Sequence, residues 1–212
     1  MNPLDTLVRE YVVPVMKAAG FAKKGRTFRL VAPNGDHLFM QVWPEAVDPE
    51  KHVFDVFFSV VPLPSWDFAY REQAERPAVN ASGALARYEV IPPPAVAHQP
   101  DSEMPFRSRW AFADPETRDI CGRELARVLT EVALPRMVPL LDRKTLLTES
   151  RINPNDGLVT LRDDDTCEIM LRIDDDPVAD VAALVDKAEA DGDFPPFVAW
   201  ARERLARRVA GA

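Results

Sequence analysis

Along the chain the apolar positions keep two different periods, and each period announces an element. Leu4, Leu7, Val8, Tyr11, Val12, Val15, Met16 and Ala19 recur at three- and four-residue steps, which places them on one face of a helix. Asn2 can cap that helix and Pro3 suits its first turn, while Pro14 lies inside it and lacks the donor the Glu10 carbonyl would accept. A bend is expected there. Gly20 follows the last periodic residue, where a left-handed stop favours glycine, and Phe21 is placed to fold back on Met16.

From Arg26 the period changes to two. Thr27 to Ala32, the turn Pro33-Asn34-Gly35-Asp36 and His37 to Trp43 read as a hairpin, and Val53 to Val61 as a third strand. Phe54, Val56, Phe58 and Val60 form its core face, and the opposite face, Val53, Asp55, Phe57, Ser59 and Val61, is half apolar, so the sheet needs cover on both sides. A short helix around Trp66 to Glu75, a strand at Ala84 to Ile91, a proline-rich surface loop and a strand from Phe106 to Phe112 follow. In that last strand Trp110 and Phe112 point to the core, and Arg107 and Arg109 face out. Asp114-Pro115-Glu116-Thr117 is a helix start, and the helix passes Ile120, Leu125, Val128 and Leu129 to a break near Pro135. After the turn Asn153 to Gly157 the chain reads as helical, with apolar faces at Val178, Val181, Leu184 and Val185 and at Phe197, Val198, Ala201, Leu205 and Val209. Thr166 to Ile173 fits a strand by alternation and a helix by its surroundings, and the helix is preferred.

The fold class is therefore α+β: an antiparallel sheet of about four to six strands packed by an N-terminal helix, followed by a mainly helical C-terminal region. Residues 1–112 form the sheet region, and residues 113–212 form a helical region packed on it as one unit. A chain of 212 residues buries enough surface to fold without staples, and Cys121 and Cys167, far apart, read as reduced thiols of a cytoplasmic protein. The start carries Asp5, Arg9, Glu10 and Pro14 among its apolar residues, which argues against a signal peptide or a membrane span. A net charge of -8 argues against nucleic acid as a partner.

The order of parts resembles a family catalogued as domain of unknown function 4304. The resemblance rests on VMKAAGFAKKGRTFRL, LFMQVW, FDVFFSV, the strand holding Trp110 and the stretch ALPRMVPLLD, from about Leu4 to Asp142. It implies an α+β fold and supplies no catalytic residue. Some members look like components of bacterial toxin and immunity neighbourhoods, which implies a protein partner.

Candidate chemistry is sparse. Lys23, Lys24 and Arg26 cluster around Gly25 and could hold a phosphate or an acidic partner surface, with a solvated connector as the plainer account. Trp43, Trp66, Tyr70 and Gln41 could line a groove on the second sheet face, unless helices cover it. Asp163 to Asp165 and Asp174 to Asp176 read as helix caps in preference to a cation site, because the spacing of a calcium loop is absent. His37, His52 and His98 lack zinc spacing, so no metal and no cofactor are assigned. Asp55 interrupts an apolar run and is expected on the side away from the core, exposed or hydrogen-bonded. The reading is an uncharacterised protein-binding or interaction module whose surface combines Lys23, Lys24, Arg26, Gln41, Trp43, Arg107 and Arg109. The alternative is a small-ligand protein or enzyme with Asp55 or His52 as acid or base. Oligomeric state is left open.

Overall fold

The computed structural model describes residues 2–98, 108–152, 165–192 and 194–211, with the side chains of Ile152 and Asp165 excepted. Arg107, the start of the strand expected from Phe106, the turn at 153–157 and the Asp163-Asp164 pair lie outside the described residues.

The N-terminal helix opens with α1 (Pro3–Leu7), where the Asn2 side chain accepts from the Leu4 N–H at 2.9 Å. It then runs through a π turn, Val8–Val12, into α2 (Val13–Ala18). The proline accounts for the wide turn. Pro14 offers no N–H and its ring crowds the carbonyl four residues back, so the Val13 N–H reaches Val8 O instead and the helix continues past the proline. The helix stops at Gly20, φ 86°, with the Gly20 N–H donating to Lys17 O and the Phe21 N–H to Met16 O. Those two bonds are the expected glycine stop, and Phe21 and Met16 are both buried.

The sheet has seven strands: β1 (Ala22–Lys24), β2 (Thr27–Val31), β3 (His37–Glu45), β4 (His52–Val61), β5 (Ala86–Glu89), β6 (Ala97–His98) and β7 (Arg109–Phe112). It is antiparallel, in the order β1-β2-β3-β4-β7-β6, with β5 also on β4. The strands beyond the expected number are short ones. The stretch read as a connector is a two-residue hairpin: Lys24 pairs with Thr27 across Gly25 and Arg26, and Gly25 takes φ 61°. A glycine at that turn admits the left-handed backbone a tight hairpin needs. The Pro33 to Asp36 turn closes as expected, with Ala32 N–H donating to Asp36 O at 2.8 Å.

β4 is buried on both faces, and this corrects the expectation for Asp55, which is 3% exposed. β7 pairs with the start of β4, Phe54 opposite Trp110, and the Trp110 indole donates to Val90 O beside β5. Trp110 and Phe112 are core, as their alternation requires.

Helix α3 (Leu63–Ala69) precedes β5 and starts earlier than the short helix expected around Trp66 to Glu75, and Trp66, a candidate for lining a groove, is buried in it. Helix α4 (Pro115–Val128) starts with the capping box at Asp114 and Thr117. The expected break at Pro135 is absent: a π turn, Leu129–Ala133, leads into α5 (Leu134–Met137) and a 3-10 turn, Val138–Leu141. The C-terminal helices are α6 (Arg143–Ile152), α7 (Asp165–Arg172), α8 (Val178–Ala190) and α9 (Pro195–Ala210). The ambiguous stretch at 166–173 is thus helical through Arg172, and Ile173 stands in the turn that follows.

The chain divides into two compact units. The first comprises Met1–Val31, Leu38–Ser59 and Arg87–Pro139, and the second Ala32–His37, Val60–Ala86 and Leu140–Ala212. Within the first, α4 lies against the N-terminal helix, close enough that a carbon added at Gly122 would stand 2.2 Å from the Tyr11 ring. The core of the second gathers Ile169, Ile173, Val181, Val185, Phe197, Ala201 and Leu205, with Phe68 and Leu85 packed against it. Val209, expected on that face, is 63% exposed. Among the described residues no helix is long and apolar enough to cross a membrane.

Candidate functional site

The residues that sequence reasoning grouped together are separated by the pleat. Lys23 pairs with Phe28 and Lys24 with Thr27, so successive lysines of β1 project to opposite faces. The Val42 N–H donates to Arg26 O at 3.1 Å, a register that sets Gln41 and Trp43 on the face of Lys24 and Thr27. That face is open at its end: Trp43 is 53% exposed and Gln41 is partly exposed. The opposite face carries Phe28 and Met40, both fully buried, and the helix end at Gly20 lies over it, 3.6 Å from Leu30 Cδ1 to an added carbon.

Arg26 does not join the lysines as a binding group. Its Nε donates to Asp5 Oδ1 at 2.7 Å, which ties the β1–β2 turn to the first turn of the N-terminal helix. Arg109 does not face out to solvent either. It lies across the strand pair from Asp55, Nε to Oδ2 3.5 Å, and its side chain is 22% exposed. This cross-strand ion pair gives Asp55 its place inside the sheet, because a buried carboxylate next to a guanidinium is far less costly than one alone. His98 pairs with Arg109 from β6, and its Nδ1 stands 3.9 Å from Asp48 Oδ2. The His52 ring packs on Phe112, centroids 4.9 Å apart, on the other face. Asp55 and His52 therefore point away from each other, and the acid and base of the alternative reading do not form a pair.

Trp66 and Tyr70 belong to the second unit and stack on each other at 4.1 Å, with the Trp66 indole donating to Pro77 O.

The largest polar constellation was not legible as one. In the second unit Arg143 grips Asp36 with two bonds of 2.7 Å, their side chains 4% and 1% exposed. The same guanidinium reaches Asp174 at 3.0 Å and Asp175 at 3.3 Å. Asp174 is in turn held twice by Arg204, which also donates to Asp67 at 2.7 Å, and Asp67 accepts from Arg76. Burial alone would push the Asp174 carboxyl up, but Arg204 and then Arg143 outweigh it and hold it below the usual carboxylate range. Charges alternate from Asp36 to Arg76, and every carboxylate oxygen of Asp36 is used, since it also accepts from the Leu63 N–H and the Asn34 side-chain amide. The Asp174 to Asp176 run thus serves arginines in place of the expected caps: Asp176 takes Arg172, and Pro177 stands at the start of α8 with no side-chain cap. Asp36, which accepts four bonds, has no lone pair left over, and the other carboxylates of the chain of charges are committed to arginine.

Cys121 and Cys167 are buried, and burial pushes the Cys121 thiol up to about 12, which makes it unreactive near neutral pH.

Comparison with protein-family models, with curated proteins and with solved structures finds no match.

Proposed function

We propose that the chain is an interaction module of the cytoplasm that binds another protein through the open end of its sheet, where Lys24, Gln41 and Trp43 share a face. The observation that carries this reading is Trp43, which is 53% exposed on a strand whose other aromatic, Phe39, is buried. Tryptophan brings a large apolar area with little rotamer freedom to lose, and such side chains dominate protein interfaces when a partner encloses them. Lys24 and Gln41 surround it with donors that a carboxylate-bearing surface can satisfy. The resemblance to the domain of unknown function 4304 family supports a protein partner as well. Arg26, Arg109 and their carboxylates build the scaffold under this surface.

The test is native mass spectrometry on the protein isolated gently from its host, where the bare chain weighs 23.8 kDa. A stoichiometric protein complex is expected. Trp43→Ala in the full chain should weaken that complex by about 2 kcal/mol, roughly 30-fold, as loss of an enclosed aromatic anchor does. A complex unaffected by Trp43→Ala, or a small-molecule adduct in its place, would remove the reading.

A further inference from the structure

β1 is the outermost strand of the sheet, three residues long and exposed throughout. Its inner edge is bound in register by β2, and among the described residues no strand pairs with its outer edge. Such an edge is a template for a further strand, and proteins often protect it with lysine. Here both of the last two positions are lysine, one on each face of the sheet. Arg26 is occupied by Asp5 and holds the hairpin turn in place, and a carbon added at Gly25 would meet nothing within 4 Å, so the end of the strand is unobstructed.

The two lysines treat different strands differently. A second copy of this chain would bring its own Lys23 and Lys24 against them, and like charges opposed across a strand pair are unfavourable. A strand with carboxylates at two successive positions would meet a lysine on each face. The chain as a whole carries -8, so this basic edge is a local exception to which an acidic segment is drawn while most of the remaining surface repels it.

We infer that β1 takes an extended acidic segment of a partner protein as an added strand. Main-chain bonds to the outward N–H and C=O of Lys23 supply the hold, and Lys23 and Lys24 select carboxylates on both faces. The inference rests on the interaction reading and narrows it to a partner class and a mode of binding.

The experiment uses the full chain and two short synthetic peptides, one carrying two successive glutamates flanked by valines and one carrying two successive lysines in the same places. Amide hydrogen exchange and amide NMR shifts are followed residue by residue. The acidic peptide should slow exchange at the outward amide of Lys23, and the basic peptide should not. Lys23→Glu combined with Lys24→Glu should reverse this preference, and Lys23→Ala with Lys24→Ala should abolish it while leaving the shifts of the core amides in place. No slowing in β1 at the highest soluble peptide concentration, slowing confined to another element, or equal effects of both peptides would overturn the inference. If the host partner still binds through Trp43 while the β1 amides are unmoved, strand addition falls and the interaction reading stands.

Discussion

Arg143 is surrounded by Asp36, Asp174 and Asp175, and Asp36 depends on it most because that side chain has almost no contact with water. Removing the arginine strands a buried carboxylate, and losses of about 3–5 kcal/mol are typical when one partner of such a pair is deleted. Arg143→Met should therefore lower the urea midpoint strongly, whereas Arg143→Met together with Asp36→Asn should recover part of the loss, because the uncompensated charge goes with its partner. The sequence displayed both residues without displaying the pair. Asp36 reads as the end of an Asn-Gly turn, which it is, and Asp174 reads as one of a run of acids before a helix. Their partners lie 107 and 30 residues away, and periodicity reports only what happens within a turn or a strand. Gln41 and Trp43 were legible as polar and aromatic positions of a hairpin strand, and Lys24 as part of a basic connector. That they share a face follows from register, which depends on the short β1 hairpin that two lysines and a glycine conceal.

At the scale of elements the helix ends were readable and the helix interiors were not. Asn2, Gly20 and the Asp114 box perform their local roles because a cap needs only its own turn. Pro135 suggested a break that is absent, and both it and Pro14 follow a π turn by two residues, where the residue just before each proline bonds five positions back. The same accommodation therefore occurs twice, in helices that share a unit. It places Tyr11, inside the first π turn, over Gly122 of α4, where there is no room for a side chain. Gly122→Ala should destabilise by about 1–3 kcal/mol through overpacking against the ring. The loss in Gly122→Ala with Tyr11→Ala should be smaller than the sum of the two single losses, since the clash disappears with the ring, and equilibrium unfolding in urea checks this.

For the whole molecule the carboxylates set a common acid limit. Thr117 and Thr145 hold Asp114 and Asp142 below the usual range by hydrogen bonds. In Glu168, as in Asp174, burial works upward and is outweighed by arginines, here Arg151 and Arg172. Each group binds its proton less readily folded than unfolded, so its contribution is complete above the unfolded values of about 4–4.5 and is lost as pH falls through the depressed folded ones. The urea midpoint should be flat from neutral pH down to about 5 and fall below that, and Asp174→Asn should make the acid limb shallower while lowering the plateau.

The division of the chain also has a consequence in time. It passes from one unit to the other at 31/32, 37/38, 59/60, 86/87 and 139/140, so neither unit is a continuous stretch that can leave the ribosome alone. At synthesis rates of about 5–20 residues per second, Asp36 is made roughly 5–20 s before Arg143, and Arg204 later still. The first unit has all its residues by Pro139, while the second waits for the last helix. A stop codon between Pro139 and α9 therefore yields a chain whose first unit is whole and whose second lacks Arg204, a product that quality-control proteases should recognise by the exposed Phe68 side of its missing core.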